Sequence, residues 1–200
     1  MGFNALEIGW DYLLAQDESG LKKLQRHAAD KDVELIMSLG TPAEHDISSS
    51  DPAVRKAGII ALQRMAETMA ACGITDCCGV VYCQWNRTVS GMQERNEAWN
   101  HSIASMKEAA KAFEANGVYL NVEPTNRFEN SLINCCAQAV EYVDEVGSKN
   151  IGIHLDTFHM NIEENSFVEP VFQAGDNLRY FQIGENNRKM PGTGMLPWKI

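Results

Sequence analysis

The chain has 200 residues, 44% of them hydrophobic, which suits one globular domain with a sizeable core and excludes a disordered composition. Its 27 acidic against 17 basic side chains give a net charge of −10, a field that repels phosphate backbones and argues against a nucleic-acid partner. No apolar stretch approaches the roughly 20 residues that cross a bilayer, and the start, MGFNALEIGWDYL, has no basic n-region or small-residue cleavage site, so no membrane partner and a cytoplasmic location are expected.

Apolar runs and helical patterns alternate along the chain. NALEIGW (4–10) reads as a short strand, and ESGLKKLQRHAAD (18–30) as a helix with its start signal at Ser19. VELIMSLG (33–40) is a buried strand, and the polar loop TPAEHDISSSDP leads into a helix from Ala53 to about Ala71. Along that helix Val54, Gly58, Ala61, Met65 and Met69 repeat on one face. ITDCCGVVYCQW (74–85) is the next strand. The stripe Trp99, Ile103, Met106, Ala110, Phe113 marks a core-facing helix that Asn116-Gly117 stops. VYLNVEP (118–124) is a strand, followed by a helix with Ile133, Cys136, Val140 and Val143 on one face. The strand IGIHLD (151–156), a short helical stretch near 167–174 and the strand RYFQIG (179–184) complete the order. The six cysteines form no C-x-x-C pair and read as reduced core thiols.

Repeated βα units of this length build a parallel sheet, either doubly wound or closed. No G-x-G-x-x-G or Walker loop follows a strand, whereas carboxylates and polar clusters do, which is how a (β/α) barrel of the TIM type delivers a site. NVEPTNRFEN places Glu123 at one strand end with Arg127 and Glu129 in its loop. HLDTFHMN places Asp156 at the next, with His159 three residues on. FQIGENNR places Gln182 near the end of the third, with Glu185 and Arg188 beyond. Singly, each has a plainer reading: a strand-terminal Asp is a common helix cap, and a lone His is more often packed. Three successive strand ends behaving alike point to a pocket where two carboxylates and a third donor suit a divalent cation.

EPTNRFEN, HLDTFHMNIEENSF and GENNRKMPGTGMLPW resemble the ketose 3-epimerases, the D-tagatose 3-epimerase and D-psicose 3-epimerase family, within the xylose-isomerase-like sugar phosphate isomerase/epimerase superfamily. The resemblance implies a TIM barrel that binds a divalent metal, Mn²⁺ first and Co²⁺ or Mg²⁺ as alternatives. It implies C3 epimerisation of a ketose of the D-tagatose, D-psicose or D-fructose type through a metal-stabilised cis-enediolate. Carried over by position, Glu123 is a metal ligand and catalytic acid/base, and Asp156 is the second ligand. Glu129, His159 and Arg188 hold the ketose oxygens, and Glu7 lies near the pocket. Two departures stand out. The family's histidine ligand falls on Gln182, and its last ligand, a glutamate of the eighth strand, has no counterpart before Ile200.

About six of eight strands are therefore expected in a single domain over 1–200 that lacks the first βα unit and the C-terminal strand. Two open sheet edges would favour a homo-oligomer. A degenerate sugar-binding paralogue and a hydroxypyruvate isomerase-like enzyme are the rival readings, while a DNA-repair relative of the superfamily needs a basic face that this chain lacks.

Overall fold

The computed structural model describes residues 2–198. Strands β1 (Ala5–Gly9), β2 (Glu34–Gly40), β3 (Asp76–Val80), β4 (Tyr119–Val122), β5 (Ile151–Asp156) and β6 (Leu178–Gln182) lie side by side in chain order. Every neighbouring pair is parallel. The sheet curves into a half-barrel, far enough for Tyr180 and Gln182 of β6 to hydrogen-bond Glu7 of β1 across the concave side. Helices α1 (Trp10–Leu14), α2 (Glu18–Asp30), α3 (Pro52–Cys72), α4 (Met92–Asn116), α5 (Cys136–Val146), α6 (Thr157–Glu163) and α7 (Glu169–Ala174) fill the crossovers. None of them is long and apolar enough to cross a membrane.

Alternation within the strands separates two environments. Leu120, Val122, Ile151, Ile153 and Leu155 point to the convex side and join Met65, Met69, Met106, Phe113 and Tyr142 in the core. Asn121, His154 and Asp156, on the alternate positions, point to the concave side and are buried although polar. One face of each central strand therefore packs the core and the other turns buried polar groups to the concave side.

The helices begin and end where local chemistry dictates. Asp51 caps α3 by accepting from Ala53 N at 2.8 Å, with Pro52 as first helical residue. Gly117, at φ +65°, ends α4 as expected. Ser19 does not start α2: Asp17, two residues earlier, accepts from Gly20 N at 2.7 Å and takes the cap. The third strand is shorter than its apolar run. Pairing stops at Val80, and Val81, Tyr82 and Cys83 are fully buried in the turn that follows, so their apolarity marks burial rather than extended pairing. Ile133 precedes α5 instead of lying on it, and α1 and α6 are short helices that the sequence pattern did not reveal.

The register of β6 against β5 shifts between Ile153 and His154, so Arg179 is an extra, bulged residue. Its guanidinium forms a bidentate bond with Asp76 of β3 at 2.8 and 3.1 Å, across the concave face. Gly152 makes room for it: a Cβ there would lie 2.8 Å from Arg179 Cδ.

Gly58 sits inside α3, where glycine is worse than alanine by about 1 kcal/mol in an open helix. Here an added Cβ would lie 2.2 Å from His45 O and 2.7 Å from Ile47 Cγ2. Overpacking of that kind commonly costs about 1–3 kcal/mol. Gly58→Ala is therefore expected to lower the denaturation midpoint, and an unchanged or raised midpoint in a urea titration would show that the contact yields.

Candidate metal centre

Glu123 continues the line of β4. Its N–H donates to Gly79 O at 3.1 Å, and its carbonyl accepts from the buried Tyr82 hydroxyl at 3.1 Å. The main chain of Glu123 is thus held on both sides, and the residue is only 7% exposed. Asp156 ends β5 and caps α6, with Oδ1 accepting from Phe158 N at 2.8 Å. The plainer reading of this aspartate as a helix cap is correct, and its other oxygen, Oδ2, faces His159 Nε2 at 3.9 Å. Gln182 is the register partner of Asp156 on β6. Its position in the alternation answers why an amide interrupts that apolar run: it points to the concave side.

His159 lies on α6, 3% exposed, with Nε2 3.5 Å from Glu123 Oε1. Its Nδ1 faces two nitrogen donors of Asn126, the backbone N–H at 3.1 Å and the side-chain amide at 2.8 Å. Nδ1 must then be the bare nitrogen, and the neutral ring carries its proton on Nε2. Burial holds the imidazole's pKa down to about 4, so the neutral form prevails. His159 consequently offers an N–H donor toward the carboxylates rather than a lone pair.

Among the described residues, Glu123, Asp156 and His159 are the one group of at least three His, Cys, Asp or Glu side chains with ligand atoms within 4.8 Å of one another. Burial, then Asp156 and Glu7, push Glu123 up to about 8, and burial raises Asp156 as well. Crowded buried carboxylates of this kind are what a cation would relieve. The donor set fits a divalent ion: two carboxylates and one amide carbonyl, all hard oxygen donors.

A cleft of about 620 Å³ opens beside this group, bordered by Trp85, Glu123, Asp156, His159, Gln182 and Arg188. Arg188 stands at φ +58°, its guanidinium 4.0 Å from the centre of the Phe158 ring and paired with Glu129. Glu129 also accepts from Asn126 Nδ2 at 3.0 Å, so Arg188, Glu129, Asn126 and His159 form one connected set. Glu7 borders an adjoining recess and reaches Gln182 directly. All seven residues singled out from the sequence thus meet at one end of the sheet. Arg127 does not: it turns away to Glu163, at 2.7 Å.

Three participants, His154, Asn126 and Trp85, escaped the sequence reading. His154 lies two residues before Asp156, hence on the same face, with Nδ1 3.5 Å from Glu123 Oε2. Neither of its ring nitrogens has a hydrogen-bond partner among the described residues. The alternation of β5 could have revealed it. Asn126 and Trp85 act from loops, where no periodicity speaks. Glu185, fully buried, turns from the cleft and accepts from Gly192 N at 2.7 Å, Leu196 N at 3.2 Å and the Trp198 indole, knitting together the loop that carries Arg188.

The family model for xylose isomerase-like TIM barrels matches residues 1–199. The chain is 32% identical to the D-psicose 3-epimerase of Agrobacterium fabrum, over 99% of this chain and 68% of that protein. It is 34% identical to the D-psicose 3-epimerase of Ruminiclostridium cellulolyticum, again over 99% of this chain and 68% of the relative. The crystal structure of D-psicose 3-epimerase with D-tagatose from Clostridium cellulolyticum H10 superposes with a TM-score of 0.94 at 34% identity, covering 98% of this chain and 68% of that one. With fold and sequence in agreement, the chain belongs to the ketose 3-epimerases of the xylose isomerase-like TIM-barrel family.

Proposed function

We propose that this chain serves metal-dependent epimerisation at C3 of a ketose of the D-tagatose, D-psicose or D-fructose type. The observation that carries the reading is the convergence of buried Glu123 and Asp156 with Gln182 at three successive strand ends, beside a cleft that His159 and Arg188 border. Glu123, Asp156 and Gln182 would hold the cation, Mn²⁺ before Co²⁺ or Mg²⁺. When bound, it would supply electrophilic stabilisation of the negative charge that develops on the sugar oxygens.

The residues divide the remaining work. Glu123 moves the C3 proton. Burial and then Asp156 raise its pKa, which makes it the stronger base, and a bound cation would draw the pKa back down so that the carboxylate is ionised to accept the proton. His159 Nε2–H and the Arg188 guanidinium are donors for the ketose oxygens. Glu129 and the Phe158 ring hold Arg188 in place, and Asn126 fixes the tautomer of His159. Trp85 offers an apolar wall, suited to the carbon-bound face of a sugar. Gln182 supports a second reading, sugar binding without turnover, because a neutral amide holds a transition metal less firmly than imidazole.

Isotope exchange separates the two. With Mn²⁺ and D-fructose in D₂O, the chain is expected to incorporate deuterium at C3, read by NMR. Glu123→Gln should lower that rate by about 10²–10⁴-fold, the usual worth of general acid–base catalysis. Exchange that survives the substitution would remove Glu123 from the chemistry, and no exchange in the unaltered chain would favour binding alone.

The amide at the metal is tested separately. Gln182→His should tighten Mn²⁺ binding by about tenfold in calorimetric titration, since imidazole is the better borderline donor. Equal affinities would place residue 182 outside the coordination sphere.

A further inference from the structure

Glu7 stands at the middle of β1, on the strand opposite β6, and its Oε1 accepts two hydrogen bonds from β6. One comes from the Tyr180 hydroxyl at 2.8 Å, the other from Gln182 Nε2 at 2.7 Å. These bonds cross the concave side between the two edge strands of the sheet. A carboxylate only accepts, so whichever way an amide is first drawn, the edge that meets Glu7 must be the NH₂ edge. The carbonyl oxygen then occupies the other branch of the amide. The same side chain borders the cleft that holds Glu123, Asp156 and His159.

We propose that Glu7 is a positioning residue that fixes the flip of the Gln182 amide and so presents its carbonyl oxygen, rather than its NH₂, to the cation. The inference rests on the cation site proposed above and concerns how a glutamine can serve there at all. A free glutamine samples both amide orientations, and one of them aims two N–H donors at a positive ion. A histidine ligand meets the same difficulty when its tautomer is unset, and a carboxylate behind the ring commonly settles it. Here a carboxylate behind an amide plays the equivalent part. Tyr180, donating to the same oxygen, restricts the Glu7 carboxylate in turn, so the order runs Tyr180, Glu7, Gln182, cation. Asp156, the register partner of Gln182, fixes the far side of the arrangement through its own bond to Phe158 N.

This role differs from a plain electrostatic one. Glu7 also adds negative charge to the site, since it contributes to the upward shift of Glu123 and of Asp156. The charge would favour any cation and needs no particular residue at position 182. Orientation needs an acceptor, not a charge, and it matters only while position 182 is an amide.

The experiment is a calorimetric Mn²⁺ titration of the 200-residue chain and of E7A, E7Q, Q182A and the E7A/Q182A pair, with metal affinity rather than turnover as readout. E7A is expected to bind Mn²⁺ about 10–100-fold more weakly, the usual loss when an outer partner of a ligand is removed. E7Q keeps a carbonyl acceptor at the same place and should stay within about threefold of the unaltered chain, restoring most of what E7A loses. In the Q182A background, E7A should cost far less than with glutamine in place, only what its charge contributes. Two results would overturn the proposal while leaving the cation site standing: E7Q as weak as E7A, or E7A costing as much with alanine at position 182 as with glutamine. Either would make Glu7 a source of charge alone. If the unaltered chain takes up no Mn²⁺, the proposal falls together with the cation site.

Discussion

The bidentate bond between Arg179 and Asp76 shapes everything on the concave side. It joins β6 to β3 across two intervening strands, so it can form only if the sheet curves. Asn121, from β4, donates to the same carboxylate at 3.0 Å, and the Tyr119 ring lies beneath the guanidinium at 3.3 Å. Each intervening strand is adapted to the span. β4 offers an amide and a ring, and β5 offers Gly152, where any side chain would strike Asn121 Oδ1 at 2.6 Å. Arg179 reaches this position because it is the bulged residue of β6. The same bulge restores the alternation for Tyr180 and Gln182. A slip of one residue would turn Gln182 to the convex side and bury its amide among the apolar groups there. A brace at the lower end of the sheet thus decides which β6 side chains reach the upper end.

At that upper end the balance of charge is unusual for a protein interior. Glu123 and Asp156 line the cleft and Glu7 an adjoining recess, while Glu129 pairs with Arg188, the basic group among the cleft's lining residues. Arg188 is half-exposed and tied to Glu129, so it offsets the upward shift of Glu123 only from a distance. His159 and His154 offer no further compensation, since burial keeps both rings neutral. A neutral donor at position 182 then has a physical reason. A third carboxylate beside Glu123 and Asp156 would add to the burial and repulsion that already push Glu123 up to about 8. Glutamine supplies an oxygen of the kind hard cations accept, without the charge.

Much of this was legible in the residues, and the limits are instructive. The alternating βα order, the strands ending in Glu123, Asp156 and Gln182, and the two long helices follow from periodicity, which is a property of neighbouring positions. Gln182 was conspicuous because an amide in an apolar run breaks a local pattern. What stayed hidden depends on distance through space. Asp17 in place of Ser19 as the cap of α2 turns on which side chain reaches Gly20 N. The hold of Asn126 on His159 spans 33 positions in the chain, and that of Glu7 on Gln182 spans 175. Glu7 could be placed near the pocket from resemblance, but nothing local announces what it touches. Asp156 shows the opposite case. The cap reading and the proposed site role draw on separate oxygens, Oδ1 accepting from Phe158 N and Oδ2 facing His159.

The site is also divided by the stiffness of what carries it. Glu123, Asp156, Gln182 and Glu7 come from strands or the residue directly after one, where main-chain bonds to neighbours set each Cα. The groups suited to sugar oxygens come from α6 and from loops, where function commonly tolerates adjustment. Arg188 is the clearest example, since its φ of +58° is a conformation an arginine adopts only when its surroundings impose it. Those surroundings are identifiable. On one side Gly184 exchanges hydrogen bonds with Thr157 Oγ1 at 2.7 and 2.8 Å, fastening the exit of β6 to the start of α6. On the other, the buried Glu185 carboxylate gathers Gly192, Leu196 and Trp198, and an added Cβ at Gly194 would lie 2.3 Å from its Oε2. The acidic residue beside Arg188 therefore acts as the core of the loop rather than as a group of the site. A loop of this build can change its outer side chains while Glu185 keeps the arginine aimed.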